Sequence, residues 1–259
     1  MGSGTARAAS GGGAGPRAGR CLAWLGLAWL PSTTVFGDGI PPHAAHREEQ
    51  RRPLGKPPPS PYRAPMTTRA LFPTHFYEAK LGDEALVADL DDSVRALARD
   101  DTAGKRWSKD HGYRGYTSYA SLNDLPQRDP AFADLKRHLD RHVARFAQDC
   151  GFQLGGKKLK LDSLWVNLLK PGGAHSGHIH PHSVVSGTAY VTVPPGSGAL
   201  RLEDPRLGLM MAAPPRDDTF VHADPAPGTI FLWESWLRHE VMPSTAKSDR
   251  ISVSFNYKW

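Results

Sequence analysis

Cysteine is nearly absent from this 259-residue chain, which has only Cys21 and Cys150. Cys150 is alone from Met66 onward, so that region can hold no internal disulfide, and a reducing, cytoplasmic setting is expected. A bilayer-spanning run is missing as well. The apolar stretch "CLAWLGLAWL" (Cys21–Leu30) has ten residues where about twenty are needed, so no membrane partner is expected. The body of the chain also lacks a surplus of one charge. The formal net charge is +6, but eight of the 32 Lys/Arg and three of the 26 Asp/Glu fall in residues 1–65, which leaves +1 for the rest. A nucleic-acid-binding domain needs its basic excess on the folded surface, so no nucleic-acid partner is expected either.

Residues 1–65 hold eleven of the 26 glycines and ten of the 23 prolines. Such a composition cannot bury enough apolar surface to offset chain entropy, and it reads as a disordered, low-complexity arm. The arm is either an upstream extension of a chain that starts at Met66, or a signal-like segment. Arg7, Arg17 and Arg20 ahead of the apolar decamer have the outline of the latter. Residues 66–259 are expected to form one domain.

In that domain Leu86, Leu90, Val94 and Leu97 recur at helical spacing, which predicts a helix from about Asp83 to Arg99. A second helix is predicted from Asp129 and Pro130, a cap and a first-turn residue, with Phe132, Leu135, Leu139, Val143 and Phe146 on one face and Gly151 at its end. After Gly156 the period changes to two. "RISVSFNYKW" sets Arg250, Ser252, Ser254 and Asn256 against Ile251, Val253, Phe255 and Tyr257, and "SGTAYVTVPPG" reads as a half-buried strand. Together with "LDSLWVNLL", "GALRLE" and "GTIFLW" these predict about eight short strands. The fold class is therefore α+β: a jelly roll, or double-stranded β-helix, with supporting helices before it.

"GGAHSGHIHPHS" (Gly172–Ser183) holds four of the twelve histidines. Residues i and i+2 of a strand project to one side about 7 Å apart, so His178 and His180 can converge on one ion. Pro181 cannot donate to a ladder, so the strand is expected to end at His180, with His182 in the loop beyond. His175 has the other parity and is expected to lie behind the site or at the surface. A third ligand must come from elsewhere, and His239, at the end of an apolar run, is the candidate. His75, His111, His138, His142 and His222 lack a comparable setting; His138 and His142 read as a solvated helix face. Arg250 with Ser252 on the same strand face suits a carboxylate clamp.

The order HxH, distal His, then Arg resembles the non-heme iron, 2-oxoglutarate-dependent oxygenases. More narrowly, "SLWVNLLKPGGAHSGHIHPHSVVSGTAYVTVP", "LRLEDPR", "FLWESWLRHEV" and "RISVSFN" resemble a bacterial family of 2-oxoglutarate/Fe(II) oxygenases with HxHP and SWLxHxV signatures, and "GYTSYASLNDLP" (Gly115–Pro126) is a weaker match. The resemblance implies Fe(II) on His178, His180 and His239, and 2-oxoglutarate held by Arg250 and Ser252. It also implies O2 and an unidentified organic substrate as partners, with succinate and CO2 released. Tyr190 and Asn167 become candidates for the two ends of 2-oxoglutarate. The wider superfamily has a carboxylate where this chain has His180. Three arrangements are therefore open: three histidines, which is favoured; a carboxylate from Glu203 or Asp204; or His178 and His239 with water.

Two other readings compete. A cupin-type three-histidine dioxygenase or isomerase would not use 2-oxoglutarate, but cupins follow HxH with a Glu that "PHSVVSG" lacks. A non-catalytic jelly-roll binding module with zinc would favour more cysteine. Trp165, Trp233 and Trp236 read as core. Substrate identity is expected to lie in loops such as Leu207–Pro227, and oligomeric state, a homodimer included, is left open.

Overall fold

The computed structural model describes residues 68–206, 211–212 and 214–259; the predicted arm 1–65 lies outside these residues, as does part of the Leu207–Pro227 loop. The unit described is Thr67–Trp259. In chain order it runs β1 (Phe76–Lys80), α1 (Glu84–Asp100), α2 (Thr102–Asp110), β2 (Gly115–Thr117), α3 (Leu125–Arg128) and α4 (Pro130–Asp149). Eight strands follow: β3 (Lys160–Leu169), β4 (His175–His178), β5 (Val185–Thr192), β6 (Leu200–Glu203), β7 (Phe220–Ala223), β8 (Thr229–Glu234), β9 (His239–Val241) and β10 (Arg250–Lys258). Among the described residues no helix is long and apolar enough to cross a membrane.

Both predicted helices are present, held by the caps the sequence shows. Asp83 accepts the Leu86 N–H at 2.9 Å, and Asp129 accepts the Ala131 N–H at 2.8 Å with Pro130 in the first turn. The α4 stripe from Phe132 to Phe146 is buried, and the chain leaves the helix through Gly151 at φ +71°, a conformation that favours glycine. Helices α2 and α3 and the short strands β1, β2 and β7 were not expected, and β7 lies inside the Leu207–Pro227 segment read as a loop. In α2 the buried residues are Gly104 and Ser108, which give no apolar period to read.

The strands form two antiparallel sheets, a six-stranded one in the order β1-β8-β5-β10-β3-β2 and a four-stranded one in the order β4-β9-β6-β7. With α1 and α4 packed against β3 of the larger sheet, this is a double-stranded β-helix backed by helices. The apolar residues of β10, Ile251, Val253, Phe255 and Tyr257, join Leu90, Phe132, Leu139 and Val143 in the main core. A smaller core of Tyr190, Leu200, Leu202, Phe231, Trp233 and Leu237 includes residues from both sheets. The prediction of a half-buried β5 is corrected: every residue from Val185 to Val191 is buried, because helices cover one face of its sheet and the second sheet the other.

Candidate metal centre and carboxylate pocket

β4 and β9 are paired in the smaller sheet, and their register sets His178 opposite His239. Residues opposite one another in an antiparallel pair share a face with Cβ atoms about 5 Å apart. Here the two ring centroids are 4.4 Å apart. His180 arrives by another route, which corrects the expectation that one strand carries both rings. β4 ends at His178, and the His180 N–H donates to the Ser235 carbonyl at 3.0 Å. That bond leaves the His180 ring 5.0 Å from His178 and 5.1 Å from His239. One nitrogen from each of the three lies within 4.8 Å of the others. Imidazole nitrogens bound to a first-row cation at about 2.1 Å stand about 3–3.5 Å apart, so a shift of about 1 Å brings them to an ion.

The rings are also prepared as ligands. Nδ1 of His239 is 2.8 Å from the Leu237 carbonyl, and Nδ1 of His178 is 2.7 Å from the Ser176 carbonyl. A carbonyl only accepts, so each Nδ1 carries the proton and each Nε2 keeps its lone pair for a cation. Burial pulls the pKa of His239 down to about 3, with the neighbouring imidazoles adding to the effect, and that of His180 down to about 4. Both are then neutral at pH 7, the form that binds metal. Neither alternative carboxylate joins them: Glu203 pairs with Arg238 at 2.7 Å, and Asp204 with Arg206 at 2.5 Å.

Arg250 opens β10 and is 1% exposed. Among the described residues none of its three guanidinium nitrogens has a hydrogen-bond partner, and the Tyr190 hydroxyl and Trp233 Nε1 are also buried without one. An unpaired buried cation costs several kcal/mol, so these donors fit an anion brought by a ligand. Arg250 lines the same cavity of about 740 Å³ as His178, His180 and His239. Ser252 lines it too, from a row set by strand register, with Asn167 of β3 and Tyr190 of β5 as its neighbours.

Those two neighbours differ from expectation. Tyr190 packs beneath Arg250, with the guanidinium 5.0 Å from its ring centre, and is absent from the cavity lining. Asn167 does line it, but its amide is engaged: the oxygen accepts from Thr117 at 2.9 Å and Tyr113 at 3.3 Å, and the nitrogen donates to Ser254 at 3.1 Å. Two residues without a predicted cavity role face the cavity. The Tyr113 hydroxyl lies 2.8 Å from Nε2 of His175, and burial together with the Arg250 charge lowers the His175 pKa to about 3. His175 therefore lines the cavity beside the metal triad.

The wall from the triad to the outside is aromatic. His180 neighbours Trp165, Trp165 meets Tyr119 edge-on at 5.4 Å, and Tyr119 lies 6.1 Å from Trp107. Trp165 thus has a cavity face as well as a core one. Trp233 packs on His239 as a core residue, whereas Trp236, predicted as core, is 48% exposed. His142 is not simply solvated, since it shares a hydrogen bond of 3.0 Å with Tyr77.

Residues 163–256, a span that includes every one of these candidate ligands, match the family described as "Putative 2OG-Fe(II) oxygenase". No curated protein matches the chain. Among solved structures, a prolyl-4-hydroxylase from Pseudomonas putida is similar at 20% identity and TM-score 0.52, over 72% of this chain and 94% of that one. A non-heme alpha-ketoglutarate-dependent carbocyclase, SnoK from nogalamycin biosynthesis, is similar at 14% identity and TM-score 0.52, over 71% and 79%. At these identities the two structures establish the fold.

Proposed function

We propose that the chain is a 2-oxoglutarate/Fe(II) oxygenase in which His178, His180 and His239 hold the Fe(II) and Arg250 holds the distal carboxylate of 2-oxoglutarate, a reading supported by the family match over residues 163–256. Fe(II) and 2-oxoglutarate, when bound, supply oxidative decarboxylation of the keto acid to succinate and CO2, coupled to oxidation of a substrate C–H bond by O2. The chain supplies position and the exclusion of water. The three imidazoles would hold the ion, and the rest of the cavity would take the keto acid. Nδ1 of His178 and of His239 keep their protons on backbone carbonyls, which fixes both rings. The Ser252 hydroxyl is the second donor for the carboxylate, and Asn167 holds Tyr113, Thr117 and Ser254 in place and not the keto acid itself. The substrate reaches the iron along Trp107, Tyr119 and Trp165, whose ring faces suit an apolar, planar group. The domain is residues 66–259, and the enzyme is cytoplasmic, where Cys150 enters no disulfide.

The observation that carries this reading is the buried guanidinium of Arg250 with three unpartnered nitrogens in the cavity that holds the histidine triad. It also weighs against a cupin-type reaction without 2-oxoglutarate, which gives that cation no work. The test is anaerobic addition of Fe(II) and then 2-oxoglutarate. A visible charge-transfer band from the chelated keto acid is expected, and its absence when both are present in excess overturns the proposal.

A further inference from the structure

A second group of metal-ligand side chains lies outside this cavity. His75 directly precedes β1, Cys150 caps α4, and Glu234 ends β8; a ring nitrogen, the thiol sulfur and a carboxylate oxygen lie within 4.8 Å of one another. The strand between the two sites keeps them apart. Successive residues of a strand point to opposite faces. Trp233 packs on the His239 ring at 4.6 Å, so its neighbour Glu234 points the other way, to where Cys150 lies against the main core. Among the described residues Glu234 takes part in no ion pair.

We infer that His75, Cys150 and Glu234 form a second metal site, separate from the iron centre, that takes a borderline divalent cation, Zn2+ above all. A mixed sulfur, nitrogen and oxygen set suits zinc, with bonds of about 2.3 Å to sulfur and about 2.0–2.2 Å to the others. Such donors stand about 3.5 Å apart around a tetrahedral ion, so a closure of about 1 Å makes the site. Calcium and magnesium are disfavoured, because they take oxygen ligands. All three residues are only partly buried, which leaves the fourth position to water. The ion joins three elements remote in sequence and pins β1, the edge strand of the larger sheet, to α4. Edge strands need such a tie because one side of their backbone is unpaired.

Co2+ reports on this site without reference to turnover, since a thiolate ligand gives a strong near-ultraviolet charge-transfer band that a histidine-only site does not. The protein to use is the full chain carrying Cys21→Ser, so that Cys150 is the one thiol. Two equivalents of Co2+ are expected, with a thiolate band whose full intensity belongs to one of them and is bleached by Zn2+. Adding Cys150→Ser removes the band and one equivalent while the circular dichroism is unchanged. Adding His239→Ala instead keeps the band, which separates this site from the iron centre. Glu234→Gln keeps the band but weakens Co2+ by about tenfold or more. No thiolate band in the folded protein under excess Co2+, or a band that survives Cys150→Ser, overturns the inference.

Discussion

The two faces of strand β10 are buried alike and built from opposite chemistry. On β10, Ile251, Val253, Phe255 and Tyr257 face the helices, while Arg250, Ser252, Ser254 and Asn256 line the cavity. On the helical face the polar atoms are paired within the protein: the Tyr257 hydroxyl donates to Asp140 of α4 at 2.7 Å. On the cavity face the pairing is local and incomplete. Asn256 accepts from Ser186 at 2.8 Å and donates to Ser163 at 3.3 Å, yet Arg250 has no partner among the described residues. One face is finished by folding, and on the proposed function the other is finished by a ligand. Variants on the first should change stability and leave binding, and variants on the second should do the reverse.

The largest contrast is expected from His239→Ala. Iron affinity should fall by on the order of a hundredfold or more in anaerobic titration, with a folded protein by circular dichroism. An unchanged iron stoichiometry removes His239 from the metal. Phe132→Ala, at a fully buried core position, should cost about 3–5 kcal/mol in urea unfolding, while the folded fraction binds iron and 2-oxoglutarate as before. A loss of binding without a loss of stability there breaks the comparison. Tyr257→Phe should cost about 1 kcal/mol through its hydrogen bond to Asp140, again with binding intact.

The smallest effect is a pH dependence that belongs to the helical layer. Burial raises the pKa of Asp101, but hydrogen bonds from the Gly104 N–H, Ser121 and Tyr116 outweigh it, and the net shift is downward from 3.8. A folded-state pKa below the unfolded one gives stabilisation that is full above about pH 4 and is lost as the pH falls through the folded value. Urea midpoints between pH 5 and 3 should therefore fall more steeply in the wild type than in Asp101→Asn, and equal slopes contradict the assignment.

The two faces also differ in how well the chain alone discloses them. Strand β10 and helices α1 and α4 were legible because each buries a regular stripe, at period two or near four, and both helices start at an Asp cap. Helix α2 was not, since Gly104 and Ser108 make its contact, and β1 and β2 are too short for a period. In the site, His178, His239 and Arg250 were legible from residue type and order. His180 belongs to the cluster for a reason other than strand parity: a bond to Ser235, 55 positions along, places it. The Tyr113 to His175 contact joins positions 62 apart, and the His75, Cys150 and Glu234 cluster joins three elements, so no local pattern marks either.

The central claim is that Arg250 awaits a carboxylate. The direct test is a pair of anaerobic affinities, for Fe(II) and for 2-oxoglutarate, in the wild type and in Arg250→Met. Loss of a buried charged contact is worth about 2–5 kcal/mol, so 2-oxoglutarate should bind at least thirtyfold more weakly while Fe(II) affinity holds. Equal 2-oxoglutarate affinity in the two proteins contradicts the account.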